Sequence, residues 1–158
     1  ELVDDVVVVS EQRIEEAIAL AVEIEKTVVE GAGAAGIAAL LEYPDRFRGR
    51  KVGVSLSGGN IDIRVLGSVV LRALARSGRL VRLRIEIPDL PGTLASVARM
   101  IGDTGGNIVD VEHRRDLPGV ALKSTLLELS IETRDRAHAQ EIIDALAAGG
   151  YSATTAET

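Results

Sequence analysis

The spacing of apolar residues changes near residue 80. From residue 81 to residue 87 every second residue is apolar and those between are charged, which predicts a strand with one buried face. Earlier in the chain, residues 6–9 form a short continuous apolar run, typical of a strand buried on both faces, and residues 52–56 are predicted to form a second buried strand. We therefore predict two domains, residues 1–79 and residues 80–158.

The first half is predicted to be α/β, with two strands, three helices and a glycine loop. Its predicted elements are strand 6–9, helix 14–24, helix 36–42, strand 52–56, loop 57–60 and helix 61–77. Ser10 can cap the first helix and Gly78 can end the last. The small residues at 31–36 allow close approach of another backbone or of a ligand. Two strands are too few for a free-standing doubly wound sheet, so most of that sheet is expected outside this chain.

The second half is predicted to be α+β, with the order β-α-β-β-α-β. Its predicted elements are strand 81–87, turn 88–92, helix 94–101, strand 107–113, turn 116–119, strand 122–131, helix 137–148 and strand 151–155. One antiparallel four-stranded sheet with both helices on one face, a ferredoxin-like fold, is the expected solution. The uncovered face or edge is expected to meet a partner.

Composition excludes several classes of protein. There is no cysteine, so no disulfide scaffold or thiol nucleophile is possible. The net charge is −6 and only 2% of residues are aromatic, which disfavours nucleic-acid binding. No apolar run is long enough to span a bilayer, and a cytoplasmic protein is expected. Because the chain opens at Glu1 and its one methionine is Met100, it is expected to be a fragment.

The two histidines have no companions at metal-ligand spacing, so no metal site is predicted. His113 is placed to face a ligand or an interface. His138 is expected on the solvated face of the last helix.

Two loops of the second half resemble the ACT domain family. They are Asp89-Leu90-Pro91-Gly92-Thr93-Leu94 after the first strand and Gly106-Asn107-Ile108 at the start of the second. In that family these loops form an amino-acid site, often across a dimer interface. Asp89 could bind the ammonium group, and backbone amides near Thr93 the carboxylate. The alternative is that residues 89–92 are only a turn.

The resemblance implies an effector site, with isoleucine or valine favoured, and a homo-oligomer formed through the ACT domain. The implied effector residues are Asp89, Leu90, Pro91, Gly92, Thr93, Asn107 and Ile108.

Two stretches of the first half resemble the C-terminal part of the threonine dehydratase and serine racemase branch of fold-type II pyridoxal-phosphate enzymes. They are Val28-Val29-Glu30-Gly31-Ala32-Gly33-Ala34 and Leu56-Ser57-Gly58-Gly59-Asn60-Ile61-Asp62. The resemblance implies that Ser57 binds the ring nitrogen of the cofactor; the alternative is that Ser57 only caps a helix. The implied cofactor residues are Ser57, Gly58, Gly59, Asn60 and Glu30.

The chain departs from that family because the cofactor lysine and the glycine-rich phosphate loop are missing. Lys26, Lys51 and Lys123 lack the required context. The chain alone is therefore expected neither to hold pyridoxal phosphate covalently nor to catalyse. The expected parent is an allosteric threonine ammonia-lyase, which converts threonine to 2-oxobutanoate and ammonia. The alternatives are a stand-alone amino-acid-binding regulator and a serine racemase or serine dehydratase on the same fold.

Overall fold

The computed structural model of this chain describes residues 2–115 and 123–156. The chain forms two compact units, Glu1–Ala73 and Leu74–Thr158. The predicted turn at 116–119 lies outside the described residues. Within the described residues, no helix combines the length and the apolarity needed to cross a bilayer.

The first unit is a small cluster of helices whose buried core is rich in alanine. Its helices are α1 (Glu11–Glu23), α2 (Gly31–Glu42), α3 (Pro44–Phe47) and α4 (Ile63–Ser77), whose last turn belongs to the second unit. Ala17, Ala21, Ala34 and Ala38 are all fully buried and let α1 and α2 approach closely. Ser10 caps α1, as predicted, because its side chain accepts a hydrogen bond from the Arg13 N–H.

Three predictions for the first half are wrong. Residues 6–9 and 52–56 form no strand, and α2 begins at Gly31 rather than at residue 36. Val6 and Val8 are 80% and 81% exposed. A strand exists only when another strand accepts and donates its hydrogen bonds, and neither run has such a partner among the described residues. The small residues at 31–36 form the first turns of α2.

The second unit confirms the predicted β-α-β-β-α-β order. Its elements are β1 (Leu80–Pro88), α5 (Thr93–Asp103), β2 (Asn107–Arg114), β3 (Ser124–Glu132), α6 (Arg136–Ala148) and β4 (Ser152–Thr155). The antiparallel sheet has the order β2-β3-β1-β4. Alternate residues of β1 and β3 point toward α5 and α6 and are fully buried, which the period-two pattern predicted.

The opposite face of the sheet carries charges. Arg84 lies directly across from Glu128, and its Nη2 is 2.7 Å from Glu128 Oε1. The hydrogen bond from Arg84 lowers the pKa of the Glu128 carboxyl below its usual value. The stabilisation from this contact is therefore complete above the ordinary carboxyl range and is lost as the pH falls through the lowered pKa.

His138 is buried, which makes the prediction of a solvated face wrong. It is 1% exposed, on the same face of α6 as Ile142 and Leu146. Nδ1 accepts a hydrogen bond from the Arg134 N–H at 3.1 Å, and Nε2 lies 3.0 Å from the Thr104 carbonyl oxygen. A neutral ring with its proton on Nε2 satisfies both contacts, so the histidine ties the end of α5 to the start of α6.

We expect His138→Leu to destabilise the second unit by about 1–3 kcal/mol. The substitution keeps an apolar volume but removes the part-buried hydrogen bonds that the ring makes with the Arg134 N–H and the Thr104 carbonyl. Urea unfolding followed by circular dichroism measures the loss. Gln140→Leu, on the exposed side of the same helix, should change stability by no more than about 0.5 kcal/mol. Equal stabilities of the two variants would contradict the role given to His138.

Candidate functional site

The C-terminal ends of β1 and β2 lie at the same end of the sheet. Both strands pair antiparallel with β3, so they run parallel to each other. The loop from β1 to α5 turns here: the Asp89 N–H donates to the Lys123 carbonyl at 2.9 Å, and Gly92 has φ +88°. This φ lies in the left-handed region, which a glycine adopts at no steric cost.

A cavity of about 380 Å³ opens at this end of the sheet. It is lined by the loop residues 88–92 together with Ile87, Leu94, His113 and Arg115. Its volume is at the lower end of the range of small-molecule sites, roughly 300–1,000 Å³. The lining combines several apolar side chains with a few polar groups, which suits a small amphipathic ligand.

The polar groups of the cavity carry both charge signs. Arg115 Nε is 3.2 Å from each oxygen of the Asp89 carboxylate, and Arg115 Nη2 is 3.2 Å from Oδ1. His113 Nε2 is buried and has no hydrogen-bond partner among the described residues. His113 lies opposite Leu127 on the helix-covered face of the sheet, so its ring is directed away from the charged face.

The structure brings some of the residues predicted for the effector site together and separates others. Residues 89–92 line the cavity, while the Thr93 N–H and hydroxyl bind the Leu90 carbonyl. Asn107 and Ile108 begin β2 at the opposite end of the sheet, where Asn107 Nδ2 donates to Glu132 at 2.9 Å. The nine residues of β3 separate the two ends by about 26 Å. One copy of the chain therefore cannot place Asp89 and Asn107 on one small ligand.

Arg115 is missing from the predicted site, and His113 was given no definite role there. His113 lies near the end of β2 and Arg115 directly follows that strand, which approaches the β1 loop only through the sheet pairing. The available signal was the alternation of side chains along a strand: His113 lies opposite Leu127, whose side chain is on the helix-covered face, and residue 115, two positions further along the chain, is expected on the same side.

The second predicted site is the loop that holds Ser57. The Glu30 N–H donates to the Gly58 carbonyl at 2.9 Å, so Glu30 and this loop are adjacent, as the two resembling stretches implied. Gly33 packs directly against the loop: a Cβ built on it would lie 1.8 Å from the Ser57 carbonyl oxygen. The expected close approach of another backbone to residues 31–36 is thereby confirmed.

Ser57 does not cap α4. Asp62 does so, because its Oδ1 accepts from the Arg64 N–H at 2.8 Å and from the Val65 N–H at 3.3 Å. Residues 57–60 are all exposed. The alternative in which Ser57 serves only as a helix cap is therefore wrong.

Residues 81–148 match the family model of the ACT domain. The second half of this chain is an ACT domain. The whole chain is also similar to longer proteins: it is 38% identical to an L-threonine ammonia-lyase of Thermotoga maritima over 94% of this chain and 37% of that protein. It is 40% identical to an L-threonine ammonia-lyase of Geobacter sulfurreducens over 96% of this chain and 38% of that protein.

The similarity to other relatives is shorter. A serine racemase of Oryza sativa subsp. indica is 40% identical over 42% of this chain and 21% of that protein. The chain thus spans less than two fifths of the length of the two L-threonine ammonia-lyases. The similarity to these two proteins includes both the first unit, with the Ser57 loop, and the ACT domain.

Proposed function

We propose that this chain is the C-terminal part of an allosteric threonine ammonia-lyase, and that the cavity of its ACT domain binds an amino-acid effector. The observation that carries the effector site is the cavity beside Asp89, which has charged groups of both signs and an apolar wall. Isoleucine and valine are the favoured effectors because Ile87, Leu90 and Leu94 provide apolar surface for a branched side chain.

A complete effector site is proposed to need two copies of the ACT domain. Strand β2 is an edge of the sheet within the described residues, and Val109 and Val111 on it are 49% and 44% exposed. An exposed apolar edge strand is a template for pairing with another chain. If two β2 strands pair antiparallel about a two-fold axis, the start of one lies beside the end of the other. The Asn107 of the second copy then approaches the cavity beside Asp89.

The Ser57 loop fits one side of pyridoxal phosphate. Ser57 is exposed and does not cap α4, so its hydroxyl can hydrogen-bond a pyridine nitrogen. Glu30 and Gly33 hold the loop against the start of α2. When bound, the cofactor would supply an electron sink for β-elimination from a hydroxyamino acid. A serine partner for the ring nitrogen does not require that nitrogen to be protonated, as an aspartate partner would, and this suits elimination.

The alternatives have less support. Serine racemase resembles this chain over less than half its length, whereas the L-threonine ammonia-lyases resemble it almost throughout. A stand-alone amino-acid regulator would not need the arrangement of Glu30, Gly33 and the Ser57 loop.

The proposal is tested with this chain and with the full-length protein that contains it. Calorimetric titration of the chain with L-isoleucine, L-valine and L-threonine should show saturable binding of at least one amino acid. The full-length protein with pyridoxal phosphate should form 2-oxobutanoate from L-threonine, at a rate that the bound amino acid changes. The chain alone should form none. Turnover by the chain alone, or a full-length protein that racemises serine without deaminating threonine, would contradict the proposal.

A further inference from the structure

The Asp89–Arg115 ion pair occupies the mouth of the cavity. The side chains of Arg115 and Asp89 are 58% and 42% exposed, so solvent screens their attraction. Pairs of this kind contribute little to stability, and a ligand that offers better partners can separate them at small cost. The pair brings one fixed positive and one fixed negative group to the same opening.

His113 Nε2 is the second unusual feature of the cavity. A buried polar atom without a hydrogen-bond partner is uncommon in folded proteins, and it is satisfied when a group from outside supplies the partner. This nitrogen belongs to a residue that lines the same cavity as Arg115. A ligand group in the cavity therefore lies close to both residues.

We propose that the effector enters as a zwitterion that replaces the internal ion pair, with its ammonium on Asp89 and its carboxylate on Arg115 and His113 Nε2–H. This inference rests on the proposed effector site and specifies how that site recognises its ligand. The two ligand charges are separated by one carbon atom, and the side chains of Asp89 and Arg115 are in contact in the empty site. Both side chains are exposed, so they can rotate apart to admit the ligand between them.

Charge balance makes this site selective for amino acids over 2-oxo acids. Asp89 and Arg115 together carry no net charge, so a zwitterion satisfies both. A 2-oxo acid with the same side chain keeps the carboxylate but has no ammonium, and Asp89 would be left facing an anion. The enzyme activity proposed above yields a 2-oxo acid, so this selectivity keeps the sensor from responding to the product.

Calorimetry with this chain tests the assignment of Arg115. The probes are L-isoleucine and L-valine. Arg115→Ala should weaken binding about 10- to 100-fold, the loss typical of a charged hydrogen bond. The matched control is Arg134→Ala: Arg134 forms an ion pair with Glu141 of the same 3.2 Å length and similar exposure, but does not line the cavity. His113→Phe should weaken binding several-fold with its ring volume kept.

Asp89→Asn should change the affinities for the amino acid and for the 2-oxo acid in opposite directions. It should weaken the binding of the amino acid at least about tenfold, and should strengthen the binding of the matching 2-oxo acid at least about threefold, because the repulsion between the Asp89 carboxylate and the ligand carboxylate is removed. A variant that merely distorted the loop would weaken both ligands. Circular dichroism of each variant verifies that the fold is retained.

The outcomes separate this inference from the proposed function. The proposed replacement of the ion pair is wrong, and the effector site stands, if the wild-type chain binds an amino acid but Arg115→Ala binds it equally well. The same conclusion follows if Asp89→Asn weakens the binding of both ligands. If the wild-type chain binds none of the amino acids, the effector site fails and the proposed replacement fails with it.

Discussion

Leu129→Ala should destabilise the ACT domain by about 2–5 kcal/mol. Leu129 is fully buried at the centre of the sheet, opposite Leu83 of β1 on one side and Val111 of β2 on the other. Truncation removes three carbon atoms from a site whose neighbours are held by strand hydrogen bonds, so the cavity cannot collapse. This loss is a large part of the 5–15 kcal/mol that stabilises a typical domain.

The measurement uses urea unfolding followed by the fluorescence of Tyr151, which packs against the same core. The chain has no tryptophan and two tyrosines, so a Tyr43→Phe background leaves Tyr151 as the single tyrosine probe. Ser130→Ala is the control, because residue 130 is the next position in β3 and points to the opposite face. The role of Leu129 would be disproved by equal midpoints for the two variants.

The second large effect is expected at Gly33. An exposed Gly→Ala change inside a helix normally stabilises by about 1 kcal/mol. At Gly33 the sign should reverse, because the new Cβ would lie 1.8 Å from the Ser57 carbonyl oxygen, a backbone atom that cannot rotate away. We expect Gly33→Ala to destabilise the first unit by about 3 kcal/mol, near the upper end of overpacking effects.

Hydrogen exchange gives the local readout. The Glu30 N–H, which donates to Gly58, should exchange faster in Gly33→Ala because the loop is displaced from α2. Gly53→Ala is the matched control, since a Cβ there meets nothing within 4 Å. If Gly33→Ala were more stable than the wild-type chain, the packing of α2 against the loop would be refuted.

The ACT half could be predicted from sequence because its partners lie within the chain. Burial of the alternating side chains of Leu83, Ile85 and Ile87 requires one sheet and two helices. The sheet and both helices are formed by residues 80–156. The strands predicted at 6–9 and 52–56 failed for the converse reason. Their apolar residues predicted burial between neighbouring strands, but the described residues supply no strand to pair with them.

Side-chain positions were harder to predict than elements. His138 is four residues before Ile142 and eight before Leu146, so helical spacing alone placed it on the buried face. Its polarity suggested solvent, and only the positions of the Arg134 N–H and the Thr104 carbonyl explain its burial. Arg115 was missed because its partner Asp89 is 26 residues earlier and is reached only through the sheet.

The hydrogen bonds accepted by the end of α4 determine where the ACT domain can be separated from the preceding residues. Thr133 donates from its N–H to the Arg79 carbonyl at 3.0 Å and from its hydroxyl to the Gly78 carbonyl. Arg136 Nη2 donates to the Arg76 carbonyl at 2.6 Å. An ACT domain excised at residue 80 would lose all three acceptors, although every strand would remain. A chimaera that transplants this domain onto another protein should therefore join inside α4, before Leu74, so that the transferred piece includes the last turn of that helix.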